Sequence, residues 1–551
     1  MQIQQMGPGE IPDEATSWQV PMRDGVELAT DVYLPATGEP RPAFLVRLPY
    51  DKNGIYCFMP LIARYVAERG YAVVIQDVRG KFRSGGETVF ARNEAADGYD
   101  TIDWIARQEW CDGDVVMWGD SYFGMTQLAA VVSGHPALKA ISPRLTGTQL
   151  STVIPYADGS TDVDQFSRRL YFATMYVDND AYMWPVNPFA RPLLDTFKEF
   201  FEALGRRSES FDIDLEAPAS LRSTTVDALV ESTPVPTLFT IGWYDNCAVW
   251  SWHDVERLLA DSRWADQLHL RLEAIDHENY RFAHWPIAPE NDHAMSETAR
   301  DAMFPRILDP ALEFFDSVLG RAPKTTAKVT YEVCHGEWQT AEQWPPSGTG
   351  VRTLYARPGD DARSGTLVDL ETGEDGEISW TSDGVDLVPS LTENPFAMVH
   401  GLSDVSAHAE RPDVATLDSA PHPAGLTLAG PVRVSGELTT DQSSADVFAR
   451  LLDLAPDGTA TLIVRGQVQL NDIDGPRPFT IGLLHTAYFL KPGHRLRLHL
   501  GSTDFPEFIF NTGDGTDPWT AKQAAQTTAR IRTGGGTGLR LDLHVADEPS
   551  A

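Results

Sequence analysis

The chain has 551 residues, of which 42% are hydrophobic, 10% aromatic and 22% charged; this predicts several folded units and excludes global disorder. Its 44 Lys and Arg against 79 Asp and Glu give a net charge of −35, which disfavours nucleic-acid and membrane partners because like charges repel. The four cysteines form no C-x-x-C pair, so no disulfide framework or zinc motif is indicated. No signal peptide and no run of ~18–20 apolar residues is visible, so a cytoplasmic protein is expected.

The first 145 residues alternate between strand and helix patterns. Most of the strand patterns are continuous apolar runs, which are typical of parallel strands buried on both faces. A parallel sheet flanked by helices is therefore expected. The predicted strands are 26–34, 43–48, 71–76 and 115–118, and the predicted helices are 59–69 and 125–133.

After this segment the pattern and composition of the sequence change twice. Residues 146–234 carry helical patterns rich in aromatic residues, and the strand–helix rhythm then resumes until a final helix at 311–319. From residue 328 onward, short alternating segments separated by Gly, Pro and Asp predict an all-β region. The expected fold is therefore an α/β core of residues 1–145 and 235–322, a helical cap insertion of 146–234, and a C-terminal β-sandwich or jelly roll of 323–551.

The segment Gly119-Asp120-Ser121-Tyr122-Phe123-Gly124 lies between a predicted buried strand and a predicted helix. A strand–turn–helix junction of this kind holds a serine on a strained bend with its hydroxyl exposed above the sheet. The N-terminus of the following helix offers free N–H groups to an oxyanion. Ser121 is therefore a candidate nucleophile, although Gly-x-Ser turns are also common as purely structural features.

A serine nucleophile needs a base and an acid that orients the base. Asp245 follows the predicted strand 235–241, and His277 follows the predicted strand 268–272. The order Ser, Asp, His along the chain is the order found in α/β-hydrolases. Three suitable groups, each beyond the end of a predicted strand, favour Ser121, Asp245 and His277 as a catalytic triad.

Other readings of the histidines stay open at this point. His284 or His293 could act as the base instead of His277, whereas His253 lies in a helical pattern and is expected to be structural. The segment after His277 does not complete His-Glu-x-x-His, because position 281 is arginine. No metal site is therefore predicted.

Six short motifs make the chain similar to the CocE/NonD serine hydrolases, the group of cocaine esterase, α-amino-acid ester hydrolases and X-Pro dipeptidyl-peptidases. The resemblance extends over nearly the whole chain, and the family's G-x-S-Y-x-G elbow is matched in full. One departure is Ala274-Ile275-Asp276, where the family often has Gly-Pro-Trp before its histidine. The motifs lie at 22–35, 47–52, 76–86, 119–124, 242–245 and 344–346.

The resemblance implies Ser121 as the nucleophile, Asp245 as the orienting acid and His277 as the base. It also implies an oxyanion hole made of the backbone N–H of Tyr122 and the hydroxyl of Tyr50. Asp77 and Arg79, from the 76–86 motif, are expected to form a buried structural ion pair. The aromatic residues of the insertion are expected to cap the site and form the acyl pocket.

The predicted function is cleavage of a carboxylic ester through an acyl-enzyme, with no metal or organic cofactor and a small-molecule ester or amide as the only partner. A peptidase or amidase of the same family is the alternative, in which carboxylates of the insertion would bind a substrate amine. A non-catalytic protein that binds carbohydrate or a partner is a remote alternative. The oligomeric state is left open, with a homodimer as one expectation. The insertion carboxylates are Asp158, Asp162, Asp164, Asp178 and Asp180.

Overall fold

A computed structural model describes residues 3–36, 38–222, 224–324, 327–371, 373 and 375–546. Residues 547–551, the end of the predicted C-terminal segment, lie outside the described residues. Up to residue 145 the elements are β1 (Gln4–Met6), β2 (Thr16–Pro21), β3 (Glu27–Tyr33), β4 (Arg41–Leu48), α1 (Met59–Ala67), β5 (Ala72–Asp77), α2 (Glu94–Ala106), β6 (Cys111–Asp120), α3 (Ser121–Ser133) and β7 (Leu138–Arg144).

The described part of 146–234 contains helices and one short strand joined by irregular segments, and the strand–helix alternation then returns. The helical stretch contains α4 (Phe166–Met175), β8 (Ala181–Met183), α5 (Leu193–Leu204), α6 (Glu209–Glu216) and α7 (Val226–Glu231). The alternating stretch contains β9 (Thr237–Gly242), α8 (Ala248–Ala260), α9 (Ser262–Gln267), β10 (Leu268–Glu273), α10 (Glu297–Val318), β11 (Val329–Glu332) and β12 (Trp338–Ala341).

The remaining described residues form eleven strands, joined by irregular segments, short 3-10 turns and one short helix. They are β13 (Thr349–Pro358), β14 (Ser364–Val368), β15 (Gly376–Ser382), α11 (Met398–Gly401), β16 (Val414–Ser419), β17 (Leu426–Thr440), β18 (Ala445–Leu454), β19 (Ala460–Leu470), β20 (Arg477–Leu490), β21 (Arg495–Gly501), β22 (Thr527–Thr533) and β23 (Arg540–Ala546).

Ten strands form the first large sheet, in the order β12-β11-β10-β9-β7-β6-β4-β5-β3-β2. The seven central strands from β11 to β5 run parallel, and β12, β3 and β2 pair antiparallel at the two edges. The carboxyl ends of the parallel strands therefore lie along one edge of the sheet, where α/β proteins bind their ligands. The sequence prediction of a parallel sheet is confirmed.

Helices cover both faces of this sheet. On one face, Phe44 and Val46 of β4 share a core with side chains of α1 and α10. On the other face, Leu45 shares a core with side chains of α2, α3 and α8. Because successive residues of a strand point to opposite faces, burial on both sides requires an uninterrupted apolar run.

Among the described residues, β1 and β8 form a separate antiparallel pair, and the other eleven strands form a sheet system that is antiparallel except for the pair β14 and β16. The chain thus has an α/β-hydrolase-type core followed by a C-terminal β region. The first sheet continues through β11 and β12 to Ala341. One prediction needs correction here. Helix α10 begins at Glu297, well before the predicted helix 311–319, because Pro305 and Pro310 interrupt the helical sequence pattern without ending the helix.

Candidate active site

Strand β6 continues directly into α3, and Ser121 is the first residue of that helix. Ser121 has a φ of 54°, a left-handed conformation that is strained for a residue with a Cβ atom. A Cβ at Gly119 would lie 2.0 Å from the ring of Phe123, and one at Gly124 would lie 2.6 Å from the Thr146 methyl group. Both glycines of the predicted elbow are therefore required by close contacts around the bend.

The loops after β9 and β10 bring Asp245 and His277 into contact. Nδ1 of His277 lies 2.8 Å from Oδ1 of Asp245, and the side chain of Asp245 is fully buried. The same carboxylate oxygen accepts the backbone N–H of Cys247 at 2.9 Å. Because a carboxylate only accepts hydrogen bonds, it favours the tautomer with the proton on Nδ1 and leaves Nε2 free to take a proton.

A buried network of three polar side chains joins the histidine loop to the serine bend. Arg144, at the end of β7, donates to Asp120 at 2.7 Å and to Asn279 at 2.8 Å. Asn279 in turn donates to the other oxygen of Asp120 at 3.0 Å. Since Asp120 precedes Ser121 and Asn279 follows His277 by two residues, the network sets the distance between the two loops.

The C-terminal β region also holds the histidine loop. Asp276 accepts the backbone N–H of Val399 at 2.7 Å, and the backbone N–H of Glu278 donates to the carbonyl of Phe396 at 3.1 Å. The ring of Phe396 lies 5.4 Å from the imidazole of His277, centroid to centroid. The position of the histidine thus depends on two parts of the chain that are more than 100 residues apart.

Tyr50 follows β4 by two residues and lines two cavities together with Ser121. Its hydroxyl accepts a hydrogen bond from the hydroxyl of Tyr171, in α4, at 3.2 Å. Burial and the neighbouring Tyr171 raise the pKa of Tyr50 well above its usual value, so the phenol keeps its proton. A neutral phenol beside Ser121 can donate a hydrogen bond to a developing oxyanion.

The side chain of Tyr122 points away from the serine, because its hydroxyl donates to Glu94 at 2.7 Å and accepts the backbone N–H of Ala91 at 3.1 Å. Its backbone N–H lies in the first turn of α3, where a helix has no internal acceptor for it. That N–H is the only part of Tyr122 that the sequence prediction requires at the site.

Two cavities meet at Ser121. The larger has a volume of about 600 Å³ and the smaller about 90 Å³, and both are lined by Tyr50, Tyr56, Ser121 and His277. No hydrogen bond joins the hydroxyl of Ser121 to the imidazole of His277 within the described part of the chain. Ser121 and His277 both line each of the two cavities, so a carbonyl group bound there could reach the two side chains together.

The competing histidines occupy other positions. His293 lines the smaller cavity, and its ring lies 4.4 Å from that of Tyr280, centroid to centroid. His284 lies in a 3-10 turn, and His253 lies in α8 beside Asp254. Among the described residues, His277 is the histidine that is hydrogen-bonded to Asp245.

Comparison with known proteins gives a consistent assignment. A family model described as X-Pro dipeptidyl-peptidase (S15 family) matches residues 24–278, and one for the C-terminal non-catalytic domain of X-Pro dipeptidyl-peptidase matches residues 321–541. Cocaine esterase from Rhodococcus sp. (strain MB1 Bresler) is 29% identical, over 91% of this chain and 92% of the relative. The chain belongs to the CocE/NonD family of serine hydrolases.

Two other matches bear on this CocE/NonD enzyme. A putative Xaa-Pro dipeptidyl-peptidase from Streptomyces avermitilis is 26% identical, over 74% of this chain and 56% of the relative. A solved structure of an α-amino acid ester hydrolase has a TM-score of 0.80 at 22% identity, covering 97% of this chain and 98% of that one. The family therefore includes relatives named for ester and for peptide substrates, and this chain is a hydrolase of that kind.

The walls of the larger cavity in this CocE/NonD hydrolase come from several parts of the chain, including segments within 6–10 and 50–56. The insertion supplies Leu170, Tyr171 and Met175 from α4. Trp250 of α8 and Phe396 of the C-terminal region contribute further apolar side chains. Apolar walls around a few polar groups are typical of small-molecule sites.

The five carboxylates of the insertion are engaged outside both cavities. This bears on the alternative in which they bind a substrate amine, because a carboxylate must face the substrate to do so. Their partners are Ser160 for Asp158, Gln467 for Asp162, Arg168 for Asp164, Arg206 for Asp178 and Gln5 for Asp180.

The predicted ion pair between Asp77 and Arg79 is wrong. The guanidinium of Arg79 instead pairs with Asp97 at 2.6 Å and with Asp24 at 2.8 Å. Asp77 accepts the backbone N–H of Lys52 at 2.8 Å. The two side chains diverge because they lie at and beyond the end of β5, where the alternation of a strand no longer determines direction.

Sequence reasoning missed the role of Cys247. Cys247 lines the larger cavity, and its sulfur lies within 4.8 Å of a ring nitrogen of His277. Burial raises the pKa of Cys247 to about 11. Burial lowers the pKa of His277, whereas the neighbouring Cys247 and Asp245 act in the opposite direction and raise it. The one available signal was its place two residues after Asp245.

Proposed function

We propose that this CocE/NonD enzyme cleaves a carboxylic ester through a covalent acyl-enzyme formed on Ser121, with His277 as general base and Asp245 as its orienting acid. The observation that carries the proposal is the 2.8 Å contact between His277 and Asp245 beside a serine on a left-handed bend. That combination is the arrangement that activates a serine hydroxyl.

In the first step, the oxygen of Ser121 attacks the ester carbonyl while the imidazole of His277 takes the hydroxyl proton. The carbonyl oxygen gains negative charge, which the hydroxyl of Tyr50 and the backbone N–H of Tyr122 stabilise by hydrogen bonds. The tetrahedral intermediate then collapses. The imidazolium gives its proton to the departing alcohol, and the acyl group stays on Ser121.

In the second step, water attacks the acyl-enzyme and gives a proton to His277. The same two donors hold the second oxyanion, and the serine oxygen recovers the proton as the carboxylic acid leaves. Throughout, Asp245 holds the imidazole in one tautomer and stabilises the positive charge that forms on it. The reaction needs no metal and no organic cofactor.

We further propose that residues 146–234 act as a cap over the site, since side chains of α4 line the larger cavity. The other two domains that we propose are a core of residues 1–145 and 235–322, extended to residue 341, and a C-terminal jelly roll. A cytoplasmic location and a homodimer stay predictions. No helix among the described residues is long and apolar enough to cross a membrane.

An ester is favoured over a peptide as substrate for two reasons. The larger cavity is mainly apolar, and the insertion carboxylates that could bind an N-terminal amine are engaged elsewhere. Peptidase activity is the second candidate because the matched family models are named for X-Pro dipeptidyl-peptidases. A peptidase would use the same serine chemistry, but its substrates would release an amine instead of an alcohol.

The test is to treat the purified enzyme with a fluorophosphonate probe and to measure intact mass and the labelled peptide. We expect one adduct, on the peptide containing Ser121, and none in Ser121→Ala. The same preparations are then assayed with p-nitrophenyl acetate and with an X-Pro p-nitroanilide. Ester turnover in the wild type that persists in Ser121→Ala would remove this serine from the mechanism, and faster anilide turnover would favour the peptidase.

A further inference from the structure

Three different metal-binding side chains lie together at the edge of the larger cavity. One ligand atom from each of Asp245, Cys247 and His277 lies within 4.8 Å of the other two. The imidazole is hydrogen-bonded to the carboxylate at 2.8 Å. Carboxylate oxygen, thiolate sulfur and imidazole nitrogen are the three donor types that bind zinc in proteins.

A second observation at the same place concerns the other oxygen of the carboxylate. The side chain of Asp245 is fully buried, and its Oδ2 has no hydrogen-bond partner among the described residues. A buried polar atom without a partner is unusual and costs free energy. Coordination of a cation by this carboxylate would supply the missing interaction.

The group is accessible from the cavity. Cys247 and His277 both line the cavity of about 600 Å³, and Asp245 lies behind them. An ion that enters with solvent can therefore reach the sulfur and the ring nitrogen directly. A fourth coordination position would face the cavity, which is the arrangement of an open zinc site with three protein ligands.

We propose that Asp245, Cys247 and His277 form an inhibitory binding site for a thiophilic divalent cation, with Zn²⁺ as the representative ion. The ion forms a bond to the sulfur of Cys247, and the thiol proton is released to solvent. A ring nitrogen of His277 donates its lone pair, after releasing its proton where it carries a second one. Tetrahedral zinc brings its ligand atoms to roughly 3.5 Å from one another, so small side-chain rotations complete the site.

Ion binding has a direct consequence for the reaction. An imidazole whose lone pair is bound to a metal, or whose contact with Asp245 is lost, cannot take the proton of Ser121. The inhibition rests on the proposed catalytic role of His277, but the binding does not. Hard cations such as Mg²⁺ and Ca²⁺ prefer oxygen ligands, so we expect them to leave the enzyme active.

The first experiment measures binding without reference to activity. Chelator-treated enzyme is titrated with Co²⁺, and the near-ultraviolet charge-transfer absorption of a cobalt–thiolate bond is recorded. We expect this band in the wild type and in Cys57→Ser, and we expect its loss in Cys247→Ser. Cys57 is the matched control because it lines the smaller cavity, on the other side of Ser121.

The second experiment measures inhibition of p-nitrophenyl acetate hydrolysis by Zn²⁺, with each variant normalised to its own rate without metal. We expect inhibition that a chelator reverses, and a loss of sensitivity of at least about tenfold in Cys247→Ser. A thermal scan with and without Zn²⁺ checks that the variants fold, and the wild type should show a higher Tm with the ion.

The proposal is overturned if the wild type shows no cobalt–thiolate band, or if the band survives in Cys247→Ser. It is also overturned if Cys57→Ser, rather than Cys247→Ser, loses the band and the sensitivity to Zn²⁺. A band that depends on Cys247 in an enzyme with no esterase or anilide activity would support the site and reject the proposed function, so the two failures are distinguishable.

Discussion

The groups assigned to the reaction and the groups that line the cavity come from different parts of the molecule. Tyr50, Ser121, Asp245 and His277 follow β4, β6, β9 and β10, all parallel strands of one sheet. The walls of the larger cavity come mainly from the insertion, including α4, and from segments within 6–10 and 50–56, with Phe396 from the C-terminal region. The chemistry thus rests on the ends of buried strands, whereas the shape of the site rests on helices and loops around them.

This division predicts two classes of variant. A change at a strand end should lower the rate for every ester by a similar factor, because it removes an interaction with the reacting atoms. A change in a wall should alter the relative rates of different esters, because it removes contacts with one part of the substrate. The following predictions test the division from the largest expected effect to the smallest.

Tyr50→Phe should lower kcat by roughly 10²-fold for small and large esters alike. The substitution keeps the ring and removes the hydroxyl assigned to the oxyanion, and one such donor has an effect of about this size. Steady-state kinetics with p-nitrophenyl acetate and p-nitrophenyl benzoate would measure it. Tyr56→Phe is the control, because Tyr56 lines both cavities but its hydroxyl donates to Glu278 at 3.0 Å. Equal losses in both variants would contradict the assignment of Tyr50.

Phe396→Ala should lower kcat/KM for the benzoate ester by about 5–30-fold, with a much smaller change for the acetate ester. The expected cause is the loss of about 1–2 kcal/mol of apolar contact with the larger substrate. Leu370→Ala is the control, because Leu370 is 78% exposed and lies outside both cavities. A uniform loss across esters would instead place Phe396 among the residues that position His277.

Asp446→Asn should flatten the pH dependence of stability. Burial and the nearby Asp162 raise the pKa of Asp446 to about 7 in the folded protein, against ~3.9 in the unfolded chain. Between these pH values the folded protein therefore binds more protons than the unfolded chain. The contribution of Asp446 to the free energy of unfolding is largest at low pH, and it falls, on the order of 1–3 kcal/mol, as pH rises toward 7.

Thermal scans at pH 5 and pH 8 would measure this effect. The fall in Tm between the two pH values should be smaller in Asp446→Asn than in the wild type. The exposed Asp474 provides the control substitution, Asp474→Asn, which should keep the wild-type difference. A wild-type Tm that is the same at both pH values would contradict the raised pKa.

Much of this arrangement could be predicted from the sequence because it depends on local pattern. Apolar runs identified the parallel strands, and the two glycines around Ser121 identified the bend. The order of Ser121, Asp245 and His277, each after a strand, predicted that they would meet at one sheet edge. That order left His284 and His293 as alternatives to His277, and the structure shows that His277 is hydrogen-bonded to Asp245.

The rest depends on contacts between distant segments, which no local pattern reveals. Arg144, Asp120 and Asn279 are each ordinary polar residues until the fold brings them into one buried network. The proximity of the Cys247 sulfur to a ring nitrogen of His277 likewise depends on the fold, because the two residues are 30 positions apart in the chain. Helix α10 was underestimated for a different reason, since two prolines obscured a helix whose stability comes from packing on the sheet.

The bonds from Val399 and Phe396 to the histidine loop restrict how the chain can be divided. A truncated chain that ends after β12 would keep every group assigned to the reaction but lose the backbone partners that orient the base. Chimeras between family members would therefore need to exchange the segment around residues 395–399 together with the histidine loop. For an engineer, the two form one exchangeable unit despite their separation in the gene.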